Sequence, residues 1–138
     1  MKKITLSSFV IILISSLILT LGACTSKDNN KLELNTPHSG MILDTNEINI
    51  SGKLTNKTVD YFFYQIDDGH SYIGDGKIVP EGDGGFDVNI ETRTPSNAYV
   101  TINFYLDEDN NGVFEPETDT EQLLGSVEII FNESAIVR

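Results

Sequence analysis

The chain has 138 residues, with 21 acidic against nine basic and a net charge of −12. That balance argues against nucleic acid and anionic surfaces as direct partners, and it favours cations as ligands. A single cysteine excludes an internal disulfide, and a chain of this length builds one domain around one core.

Residues 1–23 begin with Lys2 and Lys3 and continue as an apolar run, Phe9 to Leu21, broken only by Ser15, Ser16 and Thr20. The run ends in Leu21-Gly22-Ala23-Cys24. A basic start, an apolar middle and small residues at the end are the parts of a secretory signal peptide. The order of the last four residues resembles the lipobox of bacterial lipoproteins. That resemblance implies cleavage before Cys24 and a diacylglyceryl thioether, with fatty chains such as palmitate, on its sulfur. It also implies an extracytoplasmic protein anchored by lipid to the bacterial membrane. The competing reading is an uncleaved membrane helix, because Ile4 to Leu21 is 18 residues, near the lower limit for a span. Acylation would account for the lone cysteine, which would otherwise be a leftover thiol. Cleavage would leave seven basic against 21 acidic residues, a net charge of −14.

Thr25 to Lys31 contains no apolar residue, so residues 24–31 read as the modified cysteine and a short flexible tether. From there the hydrophobic period is 2. Leu32-Glu33-Leu34 alternates and is closed by the turn cluster Thr36 to Gly40. Ile48-Asn49-Ile50 alternates and ends at Ser51-Gly52. Val59 to Ile66 is the most apolar segment and carries aromatics on both faces, which suggests a central strand covered on both sides. Asp67-Asp68-Gly69-His70 reads as a hairpin turn, with glycine where φ turns positive. Ser71 to Val79 is interrupted by glycine, which suits an edge strand. Phe86 to Ile90 alternates, Tyr99 to Leu106 is apolar-rich, and Leu123 to Phe131 closes the set. Seven short strands separated by turns, with no helix of useful length, predict an all-β, seven-stranded immunoglobulin-like sandwich over 32–132 and a tail at 133–138. A small closed barrel is the alternative. The expected core is Ile48, Ile50, Tyr61, Phe63, Phe86, Val88, Ile90, Val100, Ile102, Phe104, Val127 and Ile129.

Three segments resemble bacterial extracellular Ig-like modules of the kind found in spore-germination proteins and lipoproteins. They are Pro37 to Gly40 leading into Ile48-Asn49-Ile50-Ser51-Gly52, then Gly85-Phe86-Asp87-Val88, and Tyr105-Leu106-Asp107. The resemblance implies a fold, and it names no ligand.

Between the last two predicted strands, Asp107, Asp109 and Asn111 stand at i, i+2, i+4 and are followed by Gly112. This is similar to the first half of an EF-hand loop, where positions 1, 3 and 5 supply side-chain oxygens. The carbonyl of Val113 and the side chain of Glu115 would follow. The twelfth position is Thr118 rather than Glu, and Glu117 or Asp119 would take its place. Seven carboxylates lie between Asp107 and Glu121. The expected cofactor is Ca²⁺; the alternative is a plain acidic turn, since Asp, Asn and Gly also form turns.

No catalytic motif is found, and the chain reads as non-enzymatic. His38 and His70 lack further His or Cys ligands for zinc. Asp60, Asp67 and Asp68 fit a turn better than an acid–base pair. The sequons at Asn56 and Asn132 read as chance in a bacterial lipoprotein. The expected role is a surface-anchored binding or structural module with an envelope protein or glycan as partner. The alternative is a carbohydrate- or peptidoglycan-binding module that uses exposed aromatics such as Tyr64 and Tyr72.

Overall fold

The computed structural model describes residues 30–55 and 58–136. Cys24 and the signal-peptide reading of residues 1–23 lie outside them. Among the described residues no helix is long and apolar enough to cross a membrane.

Eight strands form two sheets. They are β1 (Lys31–Thr36), β2 (Ile42–Leu43), β3 (Glu47–Thr55), β4 (Phe62–Asp67), β5 (Tyr72–Ile78), β6 (Gly85–Glu91), β7 (Tyr99–Tyr105) and β8 (Leu123–Phe131). One sheet runs β1-β3-β6 and the other β2-β8-β7-β4-β5. All pairings are antiparallel except β2 with β8. Consecutive strands β3 and β4 lie in different sheets, as do β5 and β6, and β6 and β7. These crossings give the Greek-key connections of an immunoglobulin-like sandwich. The expected strands are all present. The eighth, β2, is two residues long, too short for an alternation signal. It forms where the chain leaves β1 at Pro37 and crosses to the other sheet.

The period-2 pattern dictates the packing. In β3 the burial alternates strictly from Ile48 to Leu54. Ile48 and Ile50 face Ile90 and Val88 across the β3–β6 ladder. With Phe62, Ile66, Ile73, Ile78, Phe86, Val100, Ile102, Phe104, Val127, Ile129 and Phe131 they fill the space between the sheets. Each fully buried side chain of this size contributes about 1.5–3 kcal/mol. Gly52 is required by close approach: a Cβ there would run into the Glu33 carbonyl and come within 2.9 Å of the Phe86 ring.

Two expected core members belong elsewhere. In β4 the inward set is Phe62, Tyr64 and Ile66. Phe63 is buried on the opposite face, outside the main core, and Tyr61 precedes the strand. The expectation placed both in the sandwich because an all-aromatic run does not reveal which parity faces in. The domain also reaches past the expected end: a 3-10 turn, Glu133–Ala135, buries Ala135 in the core, and Ile136 packs against it.

Candidate metal centre

The β7–β8 connection, residues 106–122, lies at the end of the sandwich where β4 begins. A four-residue helix, α1 (Pro116–Asp119), is folded into it. The connection is closed at its base by Leu106 N donating to Gln122 O at 3.0 Å. It is held against the outer face of the larger sheet by rings. Phe114 stacks on Tyr105 at 5.6 Å between centroids and tilts against Phe63 at 5.5 Å; Tyr61 meets Phe63 at 5.7 Å. The aromatics on the second face of β4 are therefore a seat for this loop.

The loop brings the carboxylates of Asp107, Asp109 and Asp119 together, with one oxygen from each within 4.8 Å of the others. Asp107 is 5 % exposed, Asp119 1 %, and Asp109 is open to solvent. Asp107 Oδ2 accepts from the Tyr61 hydroxyl and from Gly112 N at 2.8 Å. Asp107 Oδ1 is buried with no hydrogen-bond partner among the described residues. Asp119 accepts from Glu108 N at 3.2 Å and Glu115 N at 2.8 Å. Asp109 accepts from Asn111 N at 3.1 Å. Gly112 makes the bend at φ 81°, as its place in the motif leads one to expect.

The electrostatics follow from this geometry. Burial pushes the Asp107 carboxyl up, but the Tyr61 hydroxyl and the Gly112 amide outweigh it and hold the group below the usual carboxylate range. The same bond to Asp107, with help from burial, pushes the Tyr61 hydroxyl up to about 12. Like charges at this spacing repel by on the order of 1–4 kcal/mol per pair, between the bulk-water and near-surface limits. The amide donors offset part of that. A divalent cation among the three would reverse its sign. All the donors are oxygens, which suits a hard cation such as Ca²⁺, Mg²⁺ or Mn²⁺ rather than zinc.

Of the five carboxylates among the seven residues expected to bind metal, three converge. The Asn111 amide donates to Asp109 Oδ2 at 2.8 Å and accepts from Val113 N at 2.7 Å, so in this arrangement it shapes the loop. Val113 has an exposed side chain, and Glu115 and Glu117 are exposed and outside the converging group. Between Glu117 and Asp119, the structure selects Asp119, because α1 turns it inward. Sequence reading missed Tyr61, which positions Asp107 from 46 residues away, and Phe114, which seats the loop. It also missed Lys77, whose ammonium lies 4.9 Å over the Tyr61 ring.

No protein-family profile matches the chain, and no curated protein matches it. Its fold is shared. Among solved structures it resembles part of an engineered protein determined by crystallography at 1.98 Å, with a TM-score of 0.53 and 10 % identity. The match covers 75 % of this chain and 20 % of that one, so this chain spans about a fifth of its length. At such identity the likeness concerns the fold alone.

The structure also places Tyr64, Tyr72 and Asp68. Tyr64 packs inward on the core, while Tyr72 is half exposed on the outer side, so the pair does not form one flat platform. Asp68 is a turn anchor. Its carboxylate accepts from His70 N, Ser71 N, Ser96 N and Ser96 Oγ at 2.7–3.0 Å. Burial pushes this group up, yet the four donors prevail and hold it far below the usual range.

Proposed function

We propose that this protein is a lipid-anchored, non-enzymatic Ig-like module of the bacterial envelope whose β7–β8 loop binds Ca²⁺. The anchor rests on the sequence around Cys24. The observation that carries the ion is Asp107: a nearly fully buried carboxylate with one oxygen unpartnered, drawn up beside Asp109 and Asp119. Leaving a buried acceptor unsatisfied costs about 1–3 kcal/mol, and more for a charged group. An ion bonded to that oxygen removes the cost. Calcium is favoured over magnesium because it tolerates irregular geometry and six to eight oxygen ligands. Magnesium demands a near-ideal octahedron and dehydrates reluctantly. The expected affinity is that of extracellular modules, about 10⁻⁴–10⁻³ M.

Titration calorimetry of the membrane-extracted full chain in neutral detergent tests this. One Ca²⁺ per chain is expected, with Mg²⁺ weaker and Asp107→Asn silent. A wild-type chain that gives no heat with Ca²⁺, or an Asp107→Asn chain that binds as tightly, contradicts the reading.

A further inference from the structure

The described chain begins at Asn30, and its position there is fixed. Asn30 Nδ2 donates to Thr58 Oγ1 at 2.8 Å, and Thr58 N donates to Asn30 Oδ1 at 3.0 Å. Lys31 pairs with Thr55 at the end of β3. Leu32 lies beside Gly125 near the start of β8. Three residues beyond Thr58, Tyr61 holds Asp107. The arrival of the chain from its N-terminal segment, the β3–β4 turn and the acidic triad therefore share one end of the sandwich. The row Ile42, Ile130 and Tyr99 marks the other end.

We propose that the acidic end faces the bilayer and that a divalent cation on Asp107, Asp109 and Asp119 bridges it to phosphate oxygens of anionic phospholipid headgroups. This rests on the reading above, that Cys24 is acylated and the triad takes Ca²⁺. The reach of the chain supplies the first argument. Only residues 25–29 separate Cys24 from Asn30. At no more than about 3.6 Å per residue they hold the domain's first fixed residue within about 20 Å of the anchored sulfur.

Charge supplies the second argument. No Lys or Arg occurs between Arg93 and Arg138, and the structure brings the Lys77 ammonium over the Tyr61 ring beside the loop. Without an ion, the seven carboxylates of the loop stand off from an anionic surface. With one, two of the triad's three charges are neutralised and the cation itself can bond a phosphate oxygen directly. Three monodentate carboxylates fill fewer positions than the six to eight that Ca²⁺ takes, and phosphate oxygens are ligands of the hard type it prefers. Tethering supplies the third. A short linker gives an effective concentration in the mM range. A bridge too weak to recruit a soluble protein is then still populated.

The test uses the full acylated chain in vesicles of phosphatidylcholine with phosphatidylglycerol, and in vesicles of phosphatidylcholine alone. A fluorescent donor is placed at Glu121→Cys, at the acidic end, or at Ser134→Cys, at the far end, with an acceptor dye on the lipid headgroups. Calcium is expected to raise energy transfer from position 121 on the anionic vesicles, closing a stand-off of up to about 20 Å. Transfer from position 134 should not rise, and Asp109→Asn should remove the gain at 121. An unchanged signal at 121, with calorimetric Ca²⁺ binding intact in detergent, overturns the bridge and leaves the calcium site standing. No Ca²⁺ binding in detergent overturns the calcium site and the bridge with it. A Cys24 found unacylated by mass spectrometry overturns the anchor. An equal rise on phosphatidylcholine alone overturns the assignment to anionic headgroups, and an equal rise at both dye positions overturns the orientation.

Discussion

Two buried aspartates, Asp68 and Asp107, differ in how their oxygens are satisfied. Both are almost fully buried, at 1 % and 5 % exposed. Asp68 meets four donors that tie the β4–β5 turn to Ser96, and both of its oxygens are used. Asp107 has donors on one oxygen only. The first is complete within the protein, and the second is not. This gives Asp68 a defined acid signature. Its carboxyl is depressed in the folded chain, so the stability it contributes is fully present above the unfolded value of about 3.9 and is lost as pH falls below it. In Asp68→Asn the new amide sets donors against Ser96 N and Oγ. The expected loss at pH 7 is about 1–3 kcal/mol, with a shallower decline of stability below pH 4 than in the wild type. Urea melts of both chains from pH 3 to pH 7 measure this. Parallel pH profiles would show that Asp68 is not the group titrating.

The element that matters is the β7–β8 connection. A hairpin usually needs two to five residues, and connections beyond about 12–15 residues with no secondary structure of their own are uncommon; here α1 lies within the connection. This one spans residues 106–122 and is organised from two sides. Its short-range part was legible in the sequence. Asp and Gly spacing fixes the bend at Gly112, and the candidate set contained all three converging aspartates. Its long-range part was not. Phe114 reads as an ordinary loop aromatic, and only the β4–β7 register, which sets Phe63 opposite Tyr105, shows the seat it fills. The same blindness put Tyr61 and Phe63 in the sandwich core, because a run of four aromatics has no parity to read. Each ring pair is worth about 0.5–1.5 kcal/mol beyond the area it buries. Phe114→Ala is therefore expected to cost about 1–3 kcal/mol and to weaken Ca²⁺ binding although no carboxylate is altered. Calorimetry with a parallel melt checks both halves. Unchanged affinity in Phe114→Ala would mean that the triad holds its geometry without the aromatic seat.

At the scale of the whole molecule, the all-β fold is legible in the sequence because alternation recurs in strand after strand, each with one face toward a shared core. What the pattern could not supply was the two-residue β2, and the burial of Ala135 beyond the last strand. Net charge acts at this scale too. The described domain carries a large acidic excess, seven of whose carboxylates lie in the β7–β8 connection, and self-repulsion of that kind weakens the folded state. A specific ion and general screening both relieve it, so only their comparison isolates the site. Binding to the folded state alone stabilises it by RT ln(1 + [L]/Kd), about 1.4 kcal/mol at ten times Kd. For a domain of this size that is a rise of several degrees in melting temperature. The direct test is thermal melting of the wild type and Asp109→Ala at constant ionic strength, in EDTA, Mg²⁺ and Ca²⁺. The account predicts a rise of several degrees in Ca²⁺, a smaller rise in Mg²⁺, and no Ca²⁺ gain in Asp109→Ala, whose midpoint in EDTA equals or exceeds the wild type's as repulsion is relieved. Equal rises in Ca²⁺ and Mg²⁺, or a full Ca²⁺ rise retained in Asp109→Ala, would contradict it.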